Sequence, residues 1–182
     1  MKEIKNVSII GMGALGVMYG SHLAHHLGFD HVTYIMDEKR YEKYKGSTVT
    51  CNGEELSFTC VPASQAVPAD LVIVAVKSTG LTEALDTMKN CIGPDTVILS
   101  VMNGISSEEI IGERYGAEHM IYAVAQGMDA MKFGSELTYS KMGVLCIGAR
   151  LESQQEGLDR VYCLFDKTED RKSTRLNSSH LS

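Results

Sequence analysis

The chain has 182 residues, of which 44% are hydrophobic and 22% are charged, and its formal net charge at pH 7 is −6. This length suits one ordinary domain and is short for two, and the frequent apolar blocks exclude a largely disordered chain. The longest apolar run, residues 71–76, is far shorter than the roughly 20 residues of a membrane-spanning helix, and an acidic chain with no basic cluster before residue 171 is a poor candidate for binding nucleic acid or anionic membranes.

The N-terminal part of the chain predicts a βαβ unit. Residues 6–10 form a short β-branched run typical of a strand, and residues 31–36 form a second such run that ends at Asp37. Between them, apolar residues at near-helical spacing predict a helix over residues 14–27. A strand, a glycine loop, a helix and a second strand in this order are typical of a right-handed parallel crossover.

The rest of the chain continues to alternate between strand and helix patterns. Further strands are predicted near residues 48–51, 55–60, 71–76, 96–101 and 120–125, with a β region over 134–148. Helices are predicted near 40–44, 81–90, 106–115 and 152–165. Asn52-Gly53 is a strong hairpin signal between the first two of these strands. We therefore predict an α/β fold, a Rossmann-type doubly wound and mostly parallel sheet with helices on both faces.

The glycine loop between the first strand and the first helix fits the pattern G-x-G-x-x-G. Gly11 suits a tight turn, Gly13 leaves room for a pyrophosphate at the main chain, and Gly16 lets the helix pack closely on the strand. The helix start directs free N–H groups and a positive dipole end at the phosphates. The predicted dinucleotide-binding residues are Gly11, Met12, Gly13, Ala14, Leu15 and Gly16; the alternative is a purely structural glycine turn.

The end of the second strand carries two opposing signals for cofactor choice. Asp37 stands where a carboxylate would accept hydrogen bonds from the adenosine ribose, which favours NAD. Lys39 and Arg40 follow, and cations here would pair with a 2′-phosphate, which favours NADP. The alternative for these cations is an exposed helix face. NADP is the predicted cofactor, with NAD as the alternative.

With these motifs the chain resembles the ketopantoate reductase family, the 2-dehydropantoate 2-reductases. The resemblance rests on GMGALG, on Val76-Lys77-Ser78, on Met102-Asn103-Gly104, and on the glycine-rich β region that ends Cys146-Ile147-Gly148. It extends over residues 5–166, which correspond to the cofactor-binding domain of the family. It implies reduction of 2-dehydropantoate to pantoate with NAD(P)H, a step of pantothenate biosynthesis.

The resemblance also implies roles for two further residues. Lys77 would reach the cofactor and the substrate, and Asn103 would contact the nicotinamide ribose and the substrate. Lys77 directly follows an apolar strand at the ligand edge, where an ammonium can stabilise a developing alkoxide or bind a carboxylate. The alternatives are a surface lysine and an Asn-Gly turn residue. Both residues are our predicted catalytic positions.

The organisation of the chain predicts a cofactor domain over residues 1–169 and an artefactual or disordered tail over 170–182. The tail has no hydrophobic period and resembles one reading frame of a sequencing-adapter oligonucleotide; a natural polar tail is the alternative. The resemblance implies a helical second domain, missing here, that carries the general acid. We therefore expect this chain to bind a dinucleotide and to turn over substrate poorly.

Several other expectations complete the functional prediction. The partners are a small 2-oxoacid and, in the full-length protein, a second copy as a homodimer; the location is the cytoplasm. The five cysteines form no CxxC pair, so no metal site is predicted. Two alternatives remain open: another NAD(P)-dependent 2-oxoacid or hydroxyacid dehydrogenase, and a non-catalytic NAD(P)-binding sensor module.

Overall fold

The structure is a computed structural model, and it describes residues 1–102 and 106–168. Strands and helices alternate along these residues. The strands are β1 Val7–Ile10, β2 Val32–Met36, β3 Val49–Cys51, β4 Glu54–Leu56, β5 Thr59–Pro62, β6 Leu71–Val74, β7 Val97–Ser100, β8 Met120–Gln126, β9 Met131–Phe133, β10 Glu136–Thr138 and β11 Val144–Gly148. The helices are α1 Ala14–Leu27, α2 Glu38–Tyr44, α3 Leu81–Thr87, α4 Ser106–Tyr115 and α5 Gln155–Thr168. No helix among the described residues is long and apolar enough to cross a membrane.

Seven strands form the main sheet, in the order β11-β8-β7-β6-β1-β2-β5. Along this order the six strands β8, β7, β6, β1, β2 and β5 are each parallel to their neighbours. Strand β11, at one edge, is antiparallel to β8. The strand order reverses at β1, because β2 lies on one side of it and β6 on the other. This topology confirms the predicted doubly wound fold.

Apolar residues on both faces of the sheet explain why helices cover it on both sides. Successive residues of a strand point to opposite faces, so Ile9 packs into one hydrophobic cluster and Ile10 into the other. Helices α1 and α5 contribute to the first cluster, and α3 and α4 contribute to the second. All four residues of β6 have 0% exposure, as a strand covered on both faces requires.

A second, smaller sheet has the order β4-β3-β10-β9. It corrects several predicted bounds. The predicted strand 55–60 is two strands, because Phe58 turns inward to pack on Tyr34 between them, with ring centroids 4.9 Å apart. The predicted β region 134–148 is divided between the two sheets, and β9 was not predicted. The predicted strand 71–76 ends at residue 74, and the predicted helix 81–90 ends at residue 87 and continues as a short 3₁₀ turn.

Candidate functional site

A cleft opens at the carboxyl ends of β1, β2 and β6, where the strand order reverses. In doubly wound sheets this edge is the usual place for a ligand. The cleft has a volume of about 750 Å³, within the range of small-molecule sites. The lining includes the loop after β1 and the ends of β2 and β6, and it also includes residues 47–49 and Lys132, Gly134 and Ser135, which lie near and on the small sheet.

The glycines of the loop have different steric surroundings. Gly11 has φ +108°, and a Cβ there would lie 2.4 Å from the Ala75 carbonyl oxygen. A Cβ on Gly16 would lie 2.1 Å from the Gly11 carbonyl oxygen, because the first turn of α1 packs closely on the loop after β1. A Cβ on Gly13, by contrast, would meet nothing within 4 Å. Space for a ligand at the main chain is therefore present at Gly13.

Helix α1 begins at this open position without a capping side chain. Gly13 is its N-cap residue, and the first turn contains no acidic residue. Met12, Ala14 and Leu15 are half-buried and pack against the hydrophobic core. The unpaired N–H groups of the first turn and the helix dipole therefore offer an anion site made of main chain. These features fit the pyrophosphate of a dinucleotide.

Asp37 directly follows β2 and contacts Arg40 in the first turn of α2. The Asp37 carboxylate caps α2 by accepting the Arg40 backbone N–H at 2.9 Å, and its other oxygen lies 3.5 Å from Arg40 Nε. Arg40 Nη2 also lies 3.7 Å from a Glu83 carboxylate oxygen. Both Asp37 and Arg40 line the cleft. Lys39 is exposed on the first turn of α2 and is not among the lining residues.

Lys77 is exposed and lines the cleft close to the end of β6. Its carbonyl oxygen accepts the Gly80 N–H at 2.8 Å, which starts a 3₁₀ turn and fixes the backbone at this edge. Within residues 1–102 and 106–168, no carboxylate lies within 4 Å of its ammonium group. The other predicted catalytic residue, Asn103, lies outside the described residues.

A buried polar cluster that sequence reasoning missed lies below the carboxyl end of β7. Glu108 is 3% exposed, and its carboxylate accepts the Ser107 hydroxyl at 2.9 Å. The Ser100 and Ser107 hydroxyl oxygens are 3.0 Å apart. Burial raises the pKa of Glu108 above its ordinary value. From sequence, Glu108 is an ordinary acidic residue in the first turn of a helix, so no pattern marked it as buried.

Lys132 is the second residue that sequence reasoning missed. It lies on β9, in a segment too short to show a strand pattern, and it lines the same cleft as Lys77.

A separate cavity of about 560 Å³ beside the second half of α1 is lined by three histidines. No group of three or more potential metal ligands comes together in the part of the chain that the structure describes.

Comparison with known proteins gives a family match over most of this fold. The model of the family described as ketopantoate reductase PanE/ApbA matches residues 7–152. A 2-dehydropantoate 2-reductase of Pyrococcus horikoshii is 27% identical over 164 residues, covering 88% of this chain and 53% of that protein. The same enzyme of Lactococcus lactis is 31% identical over 124 residues, covering 64% of this chain and 39% of that protein.

Solved structures show the same fold. The 2-dehydropantoate 2-reductase of Geobacter metallireducens superposes with a TM-score of 0.77 at 20% identity, covering 94% of this chain and 57% of that one. A D-mandelate dehydrogenase solved with NADH and anilino(oxo)acetate superposes with a TM-score of 0.76 at 18% identity, covering 94% of this chain and 56% of that one. The chain thus spans about half the length of several proteins that it matches.

Proposed function

This chain belongs to the ketopantoate reductase family, and from that membership we propose that it is the dinucleotide-binding part of an enzyme that reduces 2-dehydropantoate to pantoate with NAD(P)H. The observation that carries the proposal is the uncapped start of α1, where Gly13 leaves open space beside free N–H groups. Cationic side chains in the same cleft support an anionic ligand. We propose residues 1–169 as the cofactor domain and 170–182 as a tail without a role.

We propose that the main chain of residues 11–16 binds the pyrophosphate and that the adenosine end lies against Asp37 and Arg40. NADP is the proposed cofactor, because the Asp37 carboxylate is already used to cap α2 and to pair with Arg40. An arginine that lines the cleft suits a 2′-phosphate well. Lys39, which is exposed on the same turn and does not line the cleft, would add only long-range attraction.

In the proposed reaction the bound dinucleotide supplies the hydride for the ketone carbon. The Lys77 ammonium, which has no carboxylate partner among the described residues, would stabilise the developing charge on the ketone oxygen or hold the substrate carboxylate. Asn103 keeps its proposed role at the nicotinamide ribose and the substrate. The proton donor is assigned to no residue of this chain, so we expect slow turnover by the chain alone.

Cofactor binding is tested by titrating the purified chain with NADPH and with NADH. We expect NADPH to bind more tightly, and Arg40→Ala to weaken NADPH about tenfold or more with little effect on NADH. Lys43→Ala is the matched control, because Lys43 lies on the same helix and does not line the cleft. Equal affinities for both dinucleotides in the unmodified chain would contradict the NADP assignment.

Substrate choice is tested by following NADPH oxidation by the full-length protein with a panel of 2-oxoacids. We expect 2-dehydropantoate to give the highest kcat/KM and Lys77→Ala to lower it about a hundredfold. The exposed Lys89, which does not line the cleft, provides the control Lys89→Ala. Faster reduction of another 2-oxoacid would favour the alternative dehydrogenase.

Location and assembly follow from family membership as further proposals. The ketopantoate reductase of Staphylococcus aureus, a structural relative with a TM-score of 0.67, is described as dimeric. We propose a cytoplasmic homodimer for the full-length protein. Its mass in solution, measured by light scattering, tests the dimer.

A further inference from the structure

We propose that Lys132, on the edge strand of the small sheet, binds a phosphate group of the dinucleotide from the side of the cleft opposite the Rossmann strands. The proposal rests on the proposed dinucleotide binding and adds a ligand residue that lies outside the βαβ unit. It assigns the small sheet a direct part in holding the cofactor.

The register of the small sheet shows why this lysine points inward. Lys132 pairs with Leu137, and Leu137 pairs with Cys51 on the next strand. Directly paired residues place their side chains on the same face, and both Leu137 and Cys51 are buried. Met131 and Phe133, on the opposite face of β9, are 58% and 74% exposed. Lys132 is therefore the one residue of β9 that faces the body of the protein, and there it lines the cleft.

The Lys132 ammonium is held in place with bonding capacity left over. It donates to the Gly134 carbonyl oxygen at 2.7 Å, which uses one of its three N–H donors. Among the residues that the structure describes, no carboxylate lies within 4 Å of it. Two of its N–H donors therefore remain available for the negatively charged oxygens of a ligand.

The charge balance of the cleft points to an anion as that ligand. The chain as a whole carries a net charge of −6. The cleft nevertheless has three cationic side chains, Arg40, Lys77 and Lys132, against the single carboxylate of Asp37. That carboxylate is already engaged with Arg40. Lys77 and Lys132 thus have no carboxylate partner among the described residues, and because we place Lys77 at the substrate, Lys132 is left for a phosphate of the dinucleotide.

A different role is also known for such a residue. An inward-pointing charge on an edge strand discourages pairing with the edge of another molecule, and β9 is an edge of the small sheet. In that role Lys132 would affect association between molecules and leave dinucleotide affinity unchanged. Loss of the Lys132 charge should therefore weaken dinucleotide binding in the first role and leave it unchanged in the second.

The test compares Lys132→Met, which keeps the aliphatic stem, and Lys132→Arg, which keeps the charge, by titration of the chain with NADPH and NADH. We expect Lys132→Met to weaken binding about tenfold and Lys132→Arg to retain most of the affinity. The matched control is Lys141→Met, because Lys141 is exposed in the next loop and does not line the cleft. Thermal melts check that each variant is folded.

The pattern of loss identifies the phosphate. Equal weakening of NADPH and NADH by Lys132→Met assigns the lysine to the pyrophosphate, and weakening of NADPH alone assigns it to the 2′-phosphate. Unchanged affinity for both in folded Lys132→Met, with tight binding by the unmodified chain, overturns the proposal while dinucleotide binding stands. Failure of the unmodified chain to bind either dinucleotide overturns both.

Discussion

Replacing Gly13 with alanine separates the folding role of the glycine loop from its binding role. Gly13 has φ −74° and ψ −170°, a backbone conformation that alanine adopts without strain. The added methyl group would meet no heavy atom within 4 Å. It would instead occupy the open space beside the first turn of α1, where we place the pyrophosphate. We therefore expect a stable protein that binds a dinucleotide poorly.

The expected sizes of the two effects differ clearly. Alanine reduces the freedom of the unfolded chain, which stabilises the fold by about 0.4–1 kcal/mol, but it is a poorer N-cap than glycine by a similar amount. The melting temperature should thus change by less than about 4 °C. Loss of charge-assisted hydrogen bonds between main-chain N–H groups and a phosphate costs about 1.5–3 kcal/mol. That corresponds to a dissociation constant about 10- to 150-fold higher.

Gly16→Ala is the contrasting variant, because its methyl group would lie 2.1 Å from the Gly11 carbonyl oxygen. The first turn of α1 and the loop after β1 must move apart to accept it, which costs about 1–3 kcal/mol of unfolding free energy. Thermal unfolding and titration with NADPH measure both quantities for each variant. Wild-type affinity in a folded Gly13→Ala protein would refute a phosphate at this position. Wild-type stability of Gly16→Ala would refute the close approach of the first turn of α1 to the loop after β1.

Two further predictions concern contacts that hold α1 in place. Tyr34→Phe removes a buried hydroxyl that donates to the Gly16 carbonyl oxygen at 2.7 Å, so we expect denaturant unfolding to show a loss of about 1–3 kcal/mol. The His25 ring contacts the Ser21 carbonyl oxygen at 2.7 Å and the Glu54 carboxylate at 3.1 Å, and these two contacts raise the pKa of His25. Because the charged form is favoured in the folded state, the stabilisation is present below the unfolded pKa of about 6.5 and is lost as the pH rises through the higher folded pKa. His25→Gln should therefore lower the melting temperature near pH 6 and have no effect near pH 9. The loss of unfolding free energy near pH 6 should be below about 1 kcal/mol, because the His25–Glu54 pair is exposed. An equal effect at both pH values would exclude this contact as the cause.

Local patterns were sufficient to predict the main sheet. The apolar run of β6 and the glycine loop after β1 each predict structure from neighbouring residues alone, and the fold confirms them. The Asn52-Gly53 hairpin also forms as predicted, with φ +49° and +84° at its two central residues. Turn residues and strand periodicity are encoded over a few positions, so a single sequence is enough to read them.

The small sheet could not be predicted in the same way. Strand β10 pairs in parallel with β3, so that Leu137 lies beside Cys51, although a long stretch of chain separates them. Each of these strands has three residues, which is too short for alternation to stand out. Their partners are selected by burial against α1, a long-range effect. The inward position of Lys132 depends on that pairing, and for this reason sequence reasoning missed it.

The contact between Asp37 and Arg40 shows why sequence position alone is a poor guide to cofactor choice. A carboxylate at the end of the second strand is usually interpreted as a ribose ligand, yet the same carboxylate is also a good helix N-cap. Here it caps α2 and pairs with Arg40, so the residue that favours NAD in the sequence is already bound to the residue that favours NADP. If the carboxylate serves only as the cap of α2 and as the partner of Arg40, Asp37→Ser, which retains a cap but removes the charge, should leave NADPH binding intact and free Arg40 for the phosphate. Weaker NADPH binding by Asp37→Ser would instead show that the carboxylate itself contacts the ribose.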